Sequence, residues 1–385
     1  MNILKHKAYI KSDNIISSLG FDTDENMNHL IKGESGISYC EDPELSVTPF
    51  YTSLINSKEL IERFSSYSVG NEFTRLEKML ILSVSEALKN TDIDITDAGT
   101  LLIISTTKGN IDLLGQMHLH DKNRIYLWRT AQIVADFFHN PNHALVISNA
   151  CISGLLSVLV AKRLVEAGVY NNAVVAGADM VTHFVVSGFQ SFKAVSSLPC
   201  KPYDVSRDGI TLGEAAGTII LGNTANISDQ YPVYVSGGAS SNDANHISGP
   251  SRTGDGLFLA IKNALHESGL KASDIGHISA HGTATVYNDE MESKAFGLAG
   301  MQQVPVISLK GYWGHTLGAA GIIESIAGIR SLKENYLLKT HGFSTPGVPV
   351  DICVTHGFRY RQQSSFLKTA SGFGGCNAAV IFEKA

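Results

Sequence analysis

One cysteine stands where a reactive thiol could be made. Cys151 follows the apolar run 144–148 and precedes a helical pattern, so a strand ends and a helix begins beside it. Unpaired N–H groups at a helix N-terminus favour negative charge, which lowers a thiol's pKa and offers donors to an oxyanion. Because buried thiols are often only structural, the position leaves two interpretations open: a nucleophile or a structural thiol.

Two histidines occupy comparable positions in the second part of the chain. His281 follows the short apolar segment 277–280, and His315 lies just before a second apolar helical pattern. Each histidine alone is more often structural than catalytic. Together with Cys151 they follow apparent strands, and α/β sheets bind ligands at the carboxyl ends of their strands. We therefore expect the three side chains to share one site.

Lys310 and the glycine-rich run 372–375 complete the candidate set. Lys310 ends a strand pattern and leads into an apolar interior, where an ammonium group needs a partner. Glu324, nine residues after His315, is the candidate for that partner. The GFGG run could bring backbone N–H groups close to a substrate, or form only a tight turn before the last strand.

The composition is that of a globular enzyme. The 385 residues are 44% hydrophobic and 17% charged with a net charge of −6, which argues against disorder, a solvated coiled coil and a nucleic-acid partner. Five cysteines without a CxxC pair favour neither a disulfide scaffold nor a structural zinc site. The N-terminus lacks an apolar secretion signal, so the cytoplasm is expected.

The order of apolar segments predicts an α/β fold. Strand patterns alternate with helical ones, and residues 144–161 fit a buried strand followed by a buried helix better than a membrane span. Strands are predicted at 101–105, 144–148, 173–176, 218–221, 233–236, 306–308 and 379–382. Helices are predicted at 76–90, 153–168, 256–268, 289–299 and 318–334.

A weak internal repeat indicates two similar halves. Residues 146–168 resemble 306–330, and residues 213–221 resemble 374–382, in the same order. The natural division is 1–222 and 223–385, with chance similarity of strand–helix segments as the alternative. The uncharged stretches 152–161 and 316–323 predict two helices buried between sheets.

At this point the chain resembles the β-ketoacyl-acyl carrier protein synthases, which have a thiolase-type fold. The motifs NACISG, HGTAT, KGYWGHTLGAAG and SGFGGCN occur in that family's order, and the likeness runs from about residue 9 to the C-terminus. The resemblance implies a duplicated αβαβα five-layer sandwich. It also distinguishes this chain within the superfamily, because His315 completes a Cys-His-His set typical of elongating synthases.

The family resemblance implies a role for each candidate. Cys151 would carry the acyl chain as a thioester, and the imidazoles of His281 and His315 would assist decarboxylation of a malonyl thioester. Lys310, supported by Glu324, would organise the charges around the histidines. These roles amount to a decarboxylative Claisen condensation that extends a fatty-acid or specialised polyketide or aryl-polyene-like chain.

Further implied roles concern the substrate and the partners. The N–H groups of Cys151 and Phe373 would form an oxyanion hole, Phe373 would act as a gate, and Thr283 and Thr285 would contact phosphopantetheine. The expected partners are an acyl carrier protein and a second subunit, either this chain itself or a homologous ketosynthase or chain-length factor. No metal, organic cofactor or membrane insertion is expected.

Lys108 departs from the family pattern. Family members often have an apolar residue there that lines the partner subunit's acyl pocket, whereas Lys108 could equally be an exposed loop lysine or a misalignment by one residue. If Lys108 lines the pocket, our hypothesis is a synthase for conjugated or aryl-capped chains. Two other functions stay open: a non-catalytic chain-length-determining subunit, against which Cys151 argues, and a cysteine hydrolase or acyltransferase that forms no carbon–carbon bond.

Overall fold

A computed structural model describes residues 6–68, 72–116, 121–226, 229–243 and 249–385. The helices are α1 Thr23–Lys32, α2 Ser57–Phe64, α3 Arg75–Leu88, α4 Leu127–Phe137, α5 Ser153–Glu166, α6 His183–Ser191, α7 Asp255–Ser268, α8 Val286–Leu298, α9 Lys310–Trp313 and α10 Ala320–Glu334. The strands are β1 Tyr9–Ile16, β2 Ser38–Cys40, β3 Phe50–Ser53, β4 Thr100–Ser105, β5 Leu145–Ile147, β6 Asn172–Asp179, β7 Leu212–Gly213, β8 Ala215–Gly222, β9 Val233–Asn242, β10 His277–Ser279, β11 Val306–Ile307, β12 Tyr336–Leu337, β13 Arg359–Tyr360, β14 Ser365–Gly372 and β15 Cys376–Lys384.

The large sheet contains the same arrangement twice. Its order is β11-β10-β14-β15-β9-β1-β8-β6-β4-β5, so each five-strand half places its first, fifth, fourth, second and third strands side by side. In each half the second strand pairs in parallel with both neighbours, and the other pairs are antiparallel. The halves meet where β1 pairs with β9 at Tyr9 and Tyr234.

Two buried helices form the layer between the half-sheets. Helices α5 and α10 pack on each other, and each contacts strands of both halves. The crossing is close because glycine faces glycine: a Cβ on Gly154 would lie 2.6 Å from the Gly318 carbonyl oxygen, and one on Gly321 would lie 2.4 Å from the Leu155 nitrogen. Larger side chains at either position would push the two helices apart.

The described residues form four apolar cores. The largest surrounds α5 and α10, a second joins α3 and α4 to one half-sheet, a third joins α7 and α8 to the other, and a fourth lies around Cys151 and α6. The layers therefore run helix, sheet, helix, sheet, helix, which confirms the predicted α/β five-layer fold. The segment 144–161 is the predicted strand and helix, and no described helix is long and apolar enough to cross a membrane.

Candidate active site

Cys151 lies in a tight turn immediately before α5. The preceding Ala150 has φ 44°, in the left-handed region that non-glycine residues seldom adopt. Ser153 fixes this turn, because its hydroxyl donates to the Ala150 carbonyl at 2.6 Å and accepts from the Asn149 N–H at 2.7 Å. The turn holds the Cys151 thiol at the end of the buried helix, where the thiol lines a cavity.

Hydrogen bonds between its backbone and the side chains of Glu292 and Lys310 fix the position of His281. Its N–H donates to Glu292 Oε1 at 2.8 Å, and Lys310 Nζ donates to its carbonyl oxygen at 2.5 Å. The same Nζ lies 3.4 Å from His281 Nδ1. Because an ammonium group can only donate, Nδ1 is the acceptor and the ring proton resides on Nε2. His281 can therefore donate a hydrogen bond through Nε2–H.

His315 approaches the same point from another turn. Its N–H donates to the Thr211 carbonyl at 2.6 Å, and its ring centroid lies 5.1 Å from that of His281 at 84°. Among the described residues its Nδ1 has no hydrogen-bond partner. One ligand-type atom from each of Cys151, His281 and His315 lies within 4.8 Å of the others. The structure thus brings the three predicted side chains together.

Glu324 bridges two buried lysines. Its Oε1 lies 2.8 Å from Lys310 Nζ and its Oε2 lies 2.6 Å from Lys368 Nζ, and all three side chains are at most 3% exposed. Lys368 was not singled out from the sequence. Its ammonium donates to the carbonyl groups of Ser279, Ala280 and Thr369. Two cations and one carboxylate therefore lie behind the histidines.

An acidic pair supports the HGTAT turn from beneath, and the sequence reasoning missed it as well. Glu292 accepts from the N–H groups of His281 and Gly282, and Asp289 Oδ1 accepts from those of Thr283 and Ala284. Burial, followed by the neighbouring Glu292, raises the pKa of Asp289 to about 7. A search for acidic residues one turn apart on the following helix could have found the pair.

A partly open cavity lies beside the cysteine and the two histidines. Its lining includes Cys151, His281, Thr283, Thr285, His315 and Phe373. The hydroxyls of Thr283 and Thr285 lie 2.9 Å apart on one wall. The cavity can hold a thioester next to a thiol and two imidazoles.

The GFGG run forms the wall opposite the histidines. Gly374 and Gly375 have φ of 85° and 75°, so the turn requires glycine. A Cβ on Gly372 would lie 3.0 Å from the Cys151 nitrogen, which shows how closely this run approaches the cysteine. The Phe373 N–H is near enough to favour the charged form of the Cys151 thiol. Its ring packs against Phe189 and Phe192.

Burial controls protonation in this site. It raises the pKa of the Cys151 thiol to about 11, opposed by the charges of Lys108 and Lys310. The lowered pKa expected from the helix N-terminus is therefore wrong, because loss of hydration outweighs the favourable charges. Burial, followed by the charge of Lys310, holds the pKa of His281 and of His315 well below the ordinary value. Both imidazoles are neutral at physiological pH.

Lys108 lines a second cavity beside the first. Cys151 and Phe373 line both cavities, so the second one extends from the thiol in the same chain. Lys108 is partly buried, which does not fit an exposed loop lysine. The contact between Lys108 and the cavity needs no second subunit.

A soft metal ion could also be bound by the cysteine–histidine group. Thiolate sulfur and neutral imidazole nitrogen are the ligands that zinc prefers. Cys151, His281 and His315 have the required spacing. Because these are the side chains that face the cavity, a bound ion would occupy the space of a thioester rather than form a separate centre.

Comparison with known proteins assigns the family. Residues 13–226 match the model of the β-ketoacyl synthase N-terminal domain, and residues 231–344 match that of the C-terminal domain. The chain is 28% identical to 3-oxoacyl-[acyl-carrier-protein] synthase 2 of Vibrio cholerae over 99% of both proteins. It is 27% identical to the synthase of the same name from Staphylococcus aureus strain N315 over 96% of both.

A solved structure supports the same family assignment. A ketosynthase in complex with its chain length factor, from Xenorhabdus doucetiae, matches with a TM-score of 0.88 and 25% identity, covering 99% of this chain and 98% of that one. These findings confirm the resemblance drawn from the motifs. The chain therefore belongs to the β-ketoacyl synthase family and is a condensing enzyme of the acyltransferase type.

Proposed function

We propose that this chain extends an acyl group held on Cys151 with a malonyl group presented by an acyl carrier protein. The observation that carries the proposal is the meeting of one thiol and two neutral imidazoles within 4.8 Å at the wall of one cavity. A thiol exchanges readily with a thioester because the leaving group is another thiol of similar basicity. Neutral imidazoles can donate hydrogen bonds to an enolate without protonating its carbon.

The first step is acyl transfer. The Cys151 sulfur attacks the carbonyl carbon of the incoming thioester, loses its proton, and the carrier thiol departs with a proton. The developing oxyanion accepts from the N–H groups of Cys151 and Phe373, whose proximity supports this assignment. Because the resting thiol is protonated, a neighbouring neutral imidazole is the base available to receive its proton.

The second step is decarboxylation and carbon–carbon bond formation. The malonyl carboxylate leaves as CO2, and the enolate oxygen accepts hydrogen bonds from His281 and His315. The enolate carbon then attacks the acyl carbon on Cys151. The Cys151 sulfur departs as a thiolate and takes up a proton from solvent to regenerate the thiol, and a 3-oxoacyl group remains on the carrier. Lys310 and Glu324 act as positioning residues that hold His281 neutral and oriented.

The substrate arm and the gate follow from the cavity walls. Thr283 and Thr285 lie where they can hydrogen-bond the amides of a phosphopantetheine arm. Phe373 separates the two cavities and is 37% exposed, so a rotation of its ring would open the path for an acyl chain. In this proposal residues 1–222 supply the nucleophile and residues 223–385 supply both histidines.

A second subunit is part of the proposed assembly. Strand β5 ends the large sheet, and one of its sides has no strand partner among the described residues; its Leu145 is 39% exposed. An apolar unpaired edge is suited to pairing with another chain. The Xenorhabdus ketosynthase is found with a chain length factor, so we propose a homologous partner or a second copy. A cytoplasmic location remains part of the proposal.

The test is intact-protein mass spectrometry with acyl and malonyl carrier proteins. We expect an acyl adduct on Cys151, and then CO2 release that depends on the acyl adduct. A chain-length-determining subunit would form no adduct. A hydrolase or simple acyltransferase would form the adduct without CO2 release, and either result would overturn the proposal.

A further inference from the structure

The second cavity is an apolar chamber with one charged wall residue. Its walls are mostly aromatic and aliphatic, contributed by Phe184, Phe189, Phe192 and Leu317, and its volume is about 270 Å³. Lys108 is the charged residue on its lining. Since Cys151 and Phe373 line both cavities, an acyl chain attached to the thiol can enter this chamber when the Phe373 ring rotates aside.

The loop that carries Lys108 is fixed from below. The Thr107 N–H contacts both carboxylate oxygens of Asp179 at 3.1 and 3.0 Å, and the Gly109 N–H donates to Thr106 Oγ1 at 3.1 Å. Gly109 has φ 57°, a conformation that suits glycine. The backbone on either side of Lys108 is therefore anchored, and the position of its side chain is built into the loop.

The ammonium group of Lys108 is incompletely satisfied. Its Nζ donates a hydrogen bond to Thr107 Oγ1 at 3.1 Å, and within the described ranges no carboxylate lies within 4.0 Å of Nζ. The nearby Asp179 is occupied by the N–H groups of Thr107 and Gly318 and by the Thr106 hydroxyl. An ammonium has three donors, so Lys108 retains capacity for an acceptor supplied by a ligand.

We propose that Lys108 selects acyl groups that carry an oxygen acceptor, a keto or carboxylate oxygen, over plain hydrocarbon chains. This proposal replaces the conjugated or aryl-capped chain suggested from the sequence, because such a chain offers the ammonium no oxygen acceptor. A hydrocarbon chain that fills the chamber removes water from the ammonium and returns no hydrogen bond. An oxygen on the chain restores the bond, which is how a polar group in an apolar pocket discriminates between substrates. This inference rests on the proposed function and makes Lys108 its specificity-determining residue.

The experiment compares acyl groups of matched length. Hexanoyl, 3-oxohexanoyl, 5-oxohexanoyl, adipoyl and 2,4-hexadienoyl carrier proteins are offered to the protein, and the rate of adduct formation on Cys151 is followed by mass. We expect at least one oxygenated group to load about tenfold faster than hexanoyl, the effect of one hydrogen bond to a charged group. Equal loading of hexanoyl and all oxygenated groups, or a preference for hexadienoyl over all of them, overturns the inference.

Three variants make the assignment specific. Lys108→Met should abolish the advantage of the oxygenated group over hexanoyl. Loss of the Lys108 charge, which opposes the raised pKa of the Cys151 thiol, should slow the loading of all acyl groups alike, and the remaining hexanoyl adduct reports that the variant is folded. Lys108→Arg should retain the advantage because it retains donors, and Lys262→Met, on the exposed side of α7, should behave as wild type. If the oxygenated group still loads faster than hexanoyl in Lys108→Met, the inference is wrong, whereas the proposed condensing function is unaffected. Absence of every adduct would instead remove the proposed function, and the inference with it.

Discussion

The two halves of the molecule share a strand order and a buried helix but use that helix differently. In the first half α5 begins beside Cys151, and its Lys162 pairs with Glu166 and Glu267, which are 17% and 32% exposed. In the second half α10 carries Glu324, which meets two lysines that are at most 1% exposed. The same scaffold thus presents a neutral thiol on one side and a buried charge cluster on the other.

This difference separates two chemical tasks. The thiol needs an apolar chamber and backbone N–H donors. The first half supplies the turn at Cys151 and most of the chamber wall, and Phe373 of the second half supplies the other N–H donor. The histidines need to stay neutral and oriented, which the second half achieves by burial, followed by buried cations that oppose protonation. Each half can therefore be disabled separately, and the following predictions use that separation.

Removal of the thiol should have the largest effect. Cys151→Ala eliminates the nucleophile of the first half, so acyl loading and chain extension should both fall by more than about a thousandfold. The measurement is the acyl adduct mass together with the yield of 3-oxoacyl carrier. Cys353→Ala, a partly buried thiol elsewhere, should behave as wild type. An adduct of undiminished yield in Cys151→Ala would assign the nucleophile elsewhere.

Loss of one imidazole should disable the second half only. His315→Ala removes a donor to the enolate, so condensation should fall by about 10²- to 10³-fold while acyl loading falls much less. CO2 release and adduct formation are measured on the same samples. His266→Ala, an exposed histidine on α7, is the control. If loading and condensation fall equally, the separation of tasks between the halves is wrong.

Stability should distinguish the two helices. Glu324→Gln leaves two buried ammonium groups without a carboxylate, which should cost about 3–5 kcal/mol of unfolding free energy. Glu166→Gln on α5 should cost about 1 kcal/mol or less, because Lys162, although only 1% exposed, keeps Glu267 at 2.8 Å and both glutamates reach solvent. Urea unfolding measures both. If both variants lose the same unfolding free energy, the deeper burial of the α10 cluster does not increase its contribution to stability.

The sequence predicted which three side chains would meet. Cys151 and His281 come after β5 and β10, whereas α9 lies between β11 and His315. The end of an apolar run can be recognised in the amino-acid sequence. In the structure the segments around Cys151, His281 and His315 bring all three side chains to one cavity. The fold followed for a similar reason: the uncharged segments that became α5 and α10 identify the central layer. Division of the chain at residue 222 into two domains stays a prediction.

Other features depend on contacts between distant residues. Strand β14, Ser365–Gly372, is almost wholly buried but contains Lys368 and Thr369, so its sequence has no continuous apolar run that would predict a buried strand. Lys368 is tolerated there because Glu324 lies beside it, a pairing that no local pattern reveals. The direction of the Cys151 pKa shift was wrong for the same reason, since the depth of burial is set by the tertiary structure.

The smallest expected effect in the comparison of the two halves concerns Lys368. Lys368→Met changes the buried cluster from two cations and one carboxylate to one of each, and Lys368 is among the charges that lower the pKa of both His281 and His315. The pKa of the imidazoles should therefore rise. Since the neutral rings are the active form, the acid limb of the condensation rate should move to higher pH.

The plateau rate in Lys368→Met should fall by less than the roughly hundredfold that loss of a catalytic donor costs, because Lys368 touches backbone carbonyls and Glu324 rather than substrate. A pH–rate profile measures both effects, with Lys262→Met as the control. A merely structural role would lower the rate at every pH without moving the limb. A limb that stays in place, or moves to lower pH, would show that the second half keeps its histidines neutral by burial alone.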